Sequence, residues 1–154
     1  MVLKKIIIKI KLINKTKKII IKKNNKYILK LYLLKIKTMS KKALIVDDDD
    51  MTTMCLKNFL KQEGFEAESV ENGNGGVEKL KAGSFDLILV DYNLGDMQGD
   101  EVLAKIKGNG GSYGKAVLMS GDDNLKGQFE AKGFNFFLHK PVTKPQFKEL
   151  ADKL

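Results

Sequence analysis

The sequence predicts an α/β fold in which five parallel strands form one sheet with helices on both faces. Three observations carry this prediction. The runs Ala43-Leu44-Ile45-Val46, Leu87-Ile88-Leu89-Val90 and Phe136-Phe137-Leu138 are short and apolar throughout, as strands buried on both faces are. Stretches with apolar residues at helical spacing separate them. Each run also ends in reactive polar residues: Asp47 to Asp50, Asp91, and His139 leading into Lys140-Pro141. Such alternation requires right-handed crossovers. Ligands of such sheets bind at the carboxyl ends of the strands.

Ala43–Val46 is the first strand. The first helix runs from about Met51 to Glu63, with Met54, Cys55, Phe59 and Leu60 near helical spacing, and Gly64 stops it. Glu66–Val70 is the second strand, after which Asn72-Gly73-Asn74-Gly75-Gly76 turns the chain. A helix carrying Val77 and Leu80 ends near Gly83, and Asp86–Val90 is the third strand. Asp91–Gly99 is a loop, and the third helix spans about Asp100 to Lys107 with Val102, Leu103 and Ile106 inward. Gly108 to Gly114, rich in glycine, reads as an unusually flexible connection. The fourth strand is Ala116–Met119, the fourth helix about Asn124–Lys132, and the fifth strand Asn135–Leu138. Thr143 and Pro145 open a fifth helix that reaches Leu154.

The formal charge of +9 suggests a nucleic-acid binder until it is divided by position. Residues 1–38 hold 13 lysines and no acidic residue; residues 39–154 hold 15 lysines against all 19 acidic residues, a net −4, and the chain has no arginine. The globular part is therefore mildly acidic, which argues against binding a phosphate backbone. Of the first 38 residues, 34 are Lys, Ile, Leu, Asn or Tyr, the types that A- and T-rich codons encode. We expect this extension to lie outside the fold, with Met39 as the natural start. Its longest apolar stretch is Leu31-Tyr32-Leu33-Leu34, far short of the roughly 20 residues of a transmembrane helix. It also lacks the apolar core of a secretory signal. The single Cys55 cannot form an internal disulfide and fits a cytoplasmic protein. The single His139 excludes a multi-histidine zinc site.

If the apolar runs are neighbouring strands, Asp47, Asp48, Asp91, Ser120 and Lys140 converge on one sheet edge. Unpaired carboxylates repel, so such a cluster is expected where a cation or a reaction requires it.

These residues resemble the response-regulator receiver domains of two-component signalling, in their stand-alone form. The motifs are Val46-Asp47-Asp48, the strand ending in Asp91, Leu118-Met119-Ser120-Gly121 and Lys140-Pro141. Glu71-Asn72-Gly73 and Met97-Gln98-Gly99 agree as well, and the similarity covers about residues 41–154. The resemblance implies a flavodoxin-like strand order, 2-1-3-4-5. It also implies that Asp91 accepts a phosphoryl group from the phosphohistidine of a sensor histidine kinase or histidine phosphotransfer protein. Asp47, Asp48, Asp91 and the backbone carbonyl of Asn93 would hold Mg²⁺, Lys140 would pair with the phosphoryl oxygens, and Ser120 would donate its hydroxyl. Phe137 would be the aromatic switch, turning inward as Ser120 moves. The protein would catalyse only its own phosphorylation and dephosphorylation. With no DNA-binding domain in the sequence, the signal is expected to leave by docking of a downstream protein around Phe136, His139 and Lys144.

Some positions depart from the family pattern. Gly95 stands where proline is frequent and is expected to loosen the phosphoacceptor loop; Gln98 stands where aspartate is common, and Phe134 and Phe136 where residues are usually smaller. Asn93 and Asp122 are placed to orient or block a hydrolytic water.

Blander roles compete for several residues. Asp49 and Asp50 read as solvent-facing residues that start the first helix. Taken alone, Ser120 is a turn residue, Phe137 core, and His139 a surface side chain. Lys140 would be a solvated lysine but for Pro141, since a cis bond there would aim the ammonium inward. Strand alternation turns Phe136 to the opposite face from Phe137. Two further functions also compete. Asp48-Asp49-Asp50-Met51-Thr52 fits the nucleophile motif of a haloacid-dehalogenase-like phosphatase with Asp48 as nucleophile, but no acidic pair follows Lys140. A phosphorylation-independent binding module would have no need for the complete polar set.

Overall fold

The computed structural model describes Ile13, residues 41–108 and residues 111–154. The expectations for residues 1–38 and for Met39, Ile13 apart, lie outside the described residues. The elements are β1 (Lys41–Val46), α1 (Asp50–Gln62), β2 (Phe65–Val70), α2 (Gly73–Ala82), β3 (Ser84–Asp91), α3 (Gly99–Gly108), β4 (Ser112–Ser120), β5 (Phe136–His139) and α4 (Lys144–Ala151). A short 3-10 helix, Asp123–Gly127, lies between β4 and β5. The sheet order is β2-β1-β3-β4-β5 with every pair parallel, the predicted order.

Side chains alternate across a strand, so each apolar run serves two cores. Leu44, Val46, Ile88, Val90 and Leu118 pack with Val77, Leu80, Val102 and Ile106 of α2 and α3. Ala43, Ile45, Leu87, Leu89 and Met119 pack with Leu56 and Leu60 of α1 and with Phe147 and Leu150 of α4. Helices thus cover both faces. Fully burying one such aliphatic side chain contributes about 1.5–3 kcal/mol, which is why the apolar runs decide the architecture.

The helix starts follow from local chemistry. Asp49 caps α1, its Oδ1 accepting the Met51 N–H at 3.0 Å, and Asp50 is the first helical residue, as predicted for both. At α4 the Thr143 N–H donates to Gln146 Oε1 at 2.9 Å, and Pro145 occupies the first turn.

The prediction needs three corrections. The stretch Gly73–Gly76 is not a turn before the second helix but its first turn. A Cβ on Gly76 would lie 2.9 Å from Val46 Cγ2, so glycine lets the helix close against β1 despite its low propensity. The fourth α-helix, expected at Asn124–Lys132, is absent; the 3-10 turn and further turns take its place. Asp122 Oδ1 accepts both the backbone and side-chain N–H groups of Asn124, each at 2.9 Å. These local bonds and Gly127 compete with a continuous helix. Finally, Ser112–Gly114 belongs to β4 rather than to a flexible connection, because a Cβ on Gly114 would collide with the Asp86 carbonyl oxygen and glycine permits the close pairing. Residues 109 and 110 lie outside the described residues.

Candidate functional site

The sheet's hydrogen bonds continue past the strand ends and place the polar residues. The Asp47 N–H donates to the Val70 carbonyl at 3.0 Å, the Tyr92 N–H to Met119 at 2.9 Å and the Lys140 N–H to Ser120 at 2.9 Å. Asp47, Asp91 and Ser120 are buried, and Asp48 is exposed at the rim. The Lys140-Pro141 bond is cis.

Lys140 Nζ lies 2.9 Å from Asp91 Oδ1 and donates to Asp47 Oδ1 at 3.0 Å. Asp47 Oδ2 is 2.9 Å from the same nitrogen, but the direction is poor, and this buried atom accepts no hydrogen bond among the described residues. Asp47, Asp48 and Asp91 each offer a carboxylate oxygen, all within 4.8 Å of one another. Three carboxylates facing one ammonium leave the site net negative, with one buried carboxylate oxygen held by ion pairing alone. This donor set, hard and all oxygen, fits a Mg²⁺ ion.

Burial pushes the Asp47 carboxyl above its usual range, against the lowering effect of Lys140 and the Asp49 N–H. Burial also works against the Lys140 ammonium, yet its bonds to Asp91 and Asp47 hold it above the usual lysine value. A pair ruled by mutual attraction would lower the carboxyl as well. Only the lysine behaves so, because desolvation of the deeper Asp47 outweighs the attraction.

Ser120 Oγ accepts the Asp122 N–H at 3.1 Å, a bond that leaves the hydroxyl proton uncommitted. Asn93 is exposed, and its N–H donates to Asp91 Oδ2 at 3.2 Å. Phe137, half-buried, packs against Phe129 with ring centroids 6.4 Å apart. Phe136 joins the opposite core, as alternation required.

A cavity of about 560 Å³ lies away from the carboxylates. It lies on the face of β5 and α4, where Phe136, Phe137, His139 and Leu150 line it. His139 Nε2 is 3.3 Å from Asp123 Oδ1 at its edge. Phe136 and His139 are therefore brought together, whereas the exposed Lys144 is not in this lining. A smaller cavity of about 330 Å³ borders Asp47, Asp50, Glu71 and Asn72.

The loop after Asp91 is tied rather than loosened, correcting the reading of Gly95. Gly95 adopts φ +73°, and Asp96 Oδ1 and Oδ2 then accept the Gly73 and Asn74 N–H groups, both at 2.9 Å. These bonds hold the Asp96 carboxyl below its usual range. Sequence reasoning missed Asp96; the available signal was an aspartate beside glycine, with a glycine-rich helix start elsewhere offering unpaired N–H groups.

A family model described as the response regulator receiver domain matches residues 43–152. The chain belongs to this family. This receiver is 33% identical over 117 residues to chemotaxis protein CheY-3 of Vibrio cholerae serotype O1, covering 73% of this chain and 90% of the relative. A CheY-like receiver domain from Methanospirillum hungatei superposes with a TM-score of 0.61 at 31% identity, covering 73% and 94% of the two chains. The receiver domain of sensor histidine kinase PA1611 from Pseudomonas aeruginosa shares the fold, with a TM-score of 0.63 at 20% identity and 74% and 96% coverage. That structure holds a magnesium ion coordinated in its active site cleft. Membership makes the chain a signalling switch of the two-component or chemotaxis type and displaces the phosphatase reading. In agreement, the Thr52 hydroxyl donates to Asp49 Oδ2 at 2.6 Å at the helix cap. Among the described residues no helix is long and apolar enough to cross a membrane.

Proposed function

We propose that the receiver takes a phosphoryl group onto Asp91 from the phosphohistidine of a sensor histidine kinase or histidine phosphotransfer protein. The observation that carries this reading is the bridge from Lys140 to Asp91 and Asp47, within the cluster of the Asp47, Asp48 and Asp91 carboxylates. An Asp91 carboxylate oxygen forms the new bond to phosphorus, and the imidazole nitrogen leaves with the electron pair of the broken P–N bond. Lys140 pairs with the phosphoryl oxygens as their charge moves outward, a positioning and electrostatic task of the kind that dominates phosphoryl transfer. Mg²⁺ bound by Asp47, Asp48, Asp91 and the Asn93 carbonyl would neutralise the remaining charge. The Ser120 hydroxyl donates to a phosphoryl oxygen, and Phe137 turns inward behind it. The altered face around Phe136 and His139, which borders the larger cavity, then docks a downstream protein.

Incubation with acetyl phosphate and Mg²⁺, read by intact mass, tests the proposal. One phosphoryl group should be gained, and Asp91→Asn should abolish the gain. No gain in the wild type would identify a phosphorylation-independent module instead.

A further inference from the structure

Lys132 lies in the turn-rich segment between β4 and β5, and as a lysine its default place there is in solvent. Its side chain is nevertheless only 20% exposed. Nζ lies 2.7 Å from Asp100 Oδ2, donates to Tyr92 Oη at 3.2 Å, and sits 5.0 Å from the Tyr92 ring centroid. Isolated surface pairs contribute little, but this side chain is largely covered and its ammonium holds two partners and a ring face.

The two partners bracket the phosphoacceptor loop. Tyr92 follows Asp91 directly, and Asp100 follows Gly99, whose N–H donates to the Tyr92 carbonyl at 2.8 Å. Tyr92 Oη also donates to Gln98 Oε1 at 2.9 Å. The main chain of Tyr92 is held to β4 through Met119 and its hydroxyl to Gln98, and Lys132 adds a second contact to the hydroxyl and one to the ring face. The residue fixed in this way separates Asp91 from Asn93.

We propose that Lys132 is a positioning residue for phosphorylation of Asp91, acting through Tyr92 and Asp100 to hold both ends of the loop. This rests on the reading of Asp91 as phosphoacceptor. Lys132 touches no reacting atom. Its loss relaxes the placement of Asp91 and Asn93, and misplacing a reacting group by about 1 Å can cost on the order of a hundredfold.

The test is the rate of phosphorylation by acetyl phosphate with saturating Mg²⁺, followed by intact mass over a range of donor concentrations. Lys132→Met should lower the maximal rate by about three- to tenfold with the half-saturating concentration unchanged, as expected for lost orientation rather than lost binding. Lys132→Arg should restore most of the rate, and Tyr92→Phe, which removes only the hydroxyl, should give a smaller fall in a folded protein. Lys79→Met, which breaks the remote pair with Glu68, should leave the rate unchanged. An undiminished maximal rate in both Lys132→Met and Tyr92→Phe overturns this proposal alone. A wild type that gains no phosphoryl group overturns the reading of Asp91 and this proposal together.

Discussion

Asp96 Oδ1 accepts the Gly73 N–H at 2.9 Å, joining the loop that follows β3 to the first turn of α2. The second oxygen accepts the next N–H, from Asn74. The carboxylate sits where the helix exposes unpaired donors and positive partial charge, which depresses its pKa. Its folded value lies below its unfolded value, so its contribution is complete above about pH 3.8, the ordinary value, and disappears as pH falls through the lower folded value. Asp96→Asn should therefore unfold at lower urea than the wild type at pH 7, and the two midpoints should converge below that range. Equal midpoints at pH 7 would mean that the carboxylate does not tie the loop.

Magnesium should act as a structural ligand as well as a chemical one. Removing one of three clustered carboxylates relieves repulsion, so Asp91→Asn should melt above the wild type in magnesium-free buffer while retaining the pair between Lys140 and Asp47. Mg²⁺ at a hundred times its Kd should stabilise the wild type by about 2.7 kcal/mol. Asp91→Asn should lose most of that shift, measured by thermal denaturation with and without the ion.

Gly99 starts α3 beside Asp91, and a Cβ there would lie 2.6 Å from the Asp91 carbonyl oxygen. Backbone must move to admit it, at a cost of about 1–3 kcal/mol. Gly99→Ala should lower stability by that amount and slow phosphorylation by acetyl phosphate. Gly108→Ala, at a position with open space, should do neither.

Ser120 is buried at the end of β4, paired in register with His139, while Phe137 is paired with Leu118. If the hydroxyl carries the signal, Ser120→Ala should still accept a phosphoryl group on Asp91. The phosphorylation-dependent chemical-shift changes at the Phe137 ring and His139 should shrink severalfold. Unchanged shifts would place the switch elsewhere.

The parallel sheet and the cluster of Asp47, Asp91 and Lys140 were legible because apolar runs and their polar ends are local signals, whereas the strand order came from the resemblance to receiver domains. The missing fourth helix was harder to read, since Leu125 and Phe129 keep helical spacing and the rival hydrogen bonds come from Asp122 and Asn124. Glycine misled in both directions. Gly73 to Gly76 suggested a turn where close packing against Val46 and Met97 permits a helix, and Gly95 suggested looseness where it lets Asp96 reach α2. Lys132 with Asp100 was invisible, because a contact 32 positions apart between common surface residue types leaves no pattern in one sequence.

The hydrogen bonds that continue the ladder through Asp47, Tyr92 and Lys140 tie the reactive edge to the most buried part of the protein. These amides should exchange with deuterium as slowly as the central strands, with no lower-energy opening of their own. Under the proposed function, competence to be phosphorylated would then report on the integrity of the whole sheet. A partly unfolded chain would be silent rather than wrongly switched on.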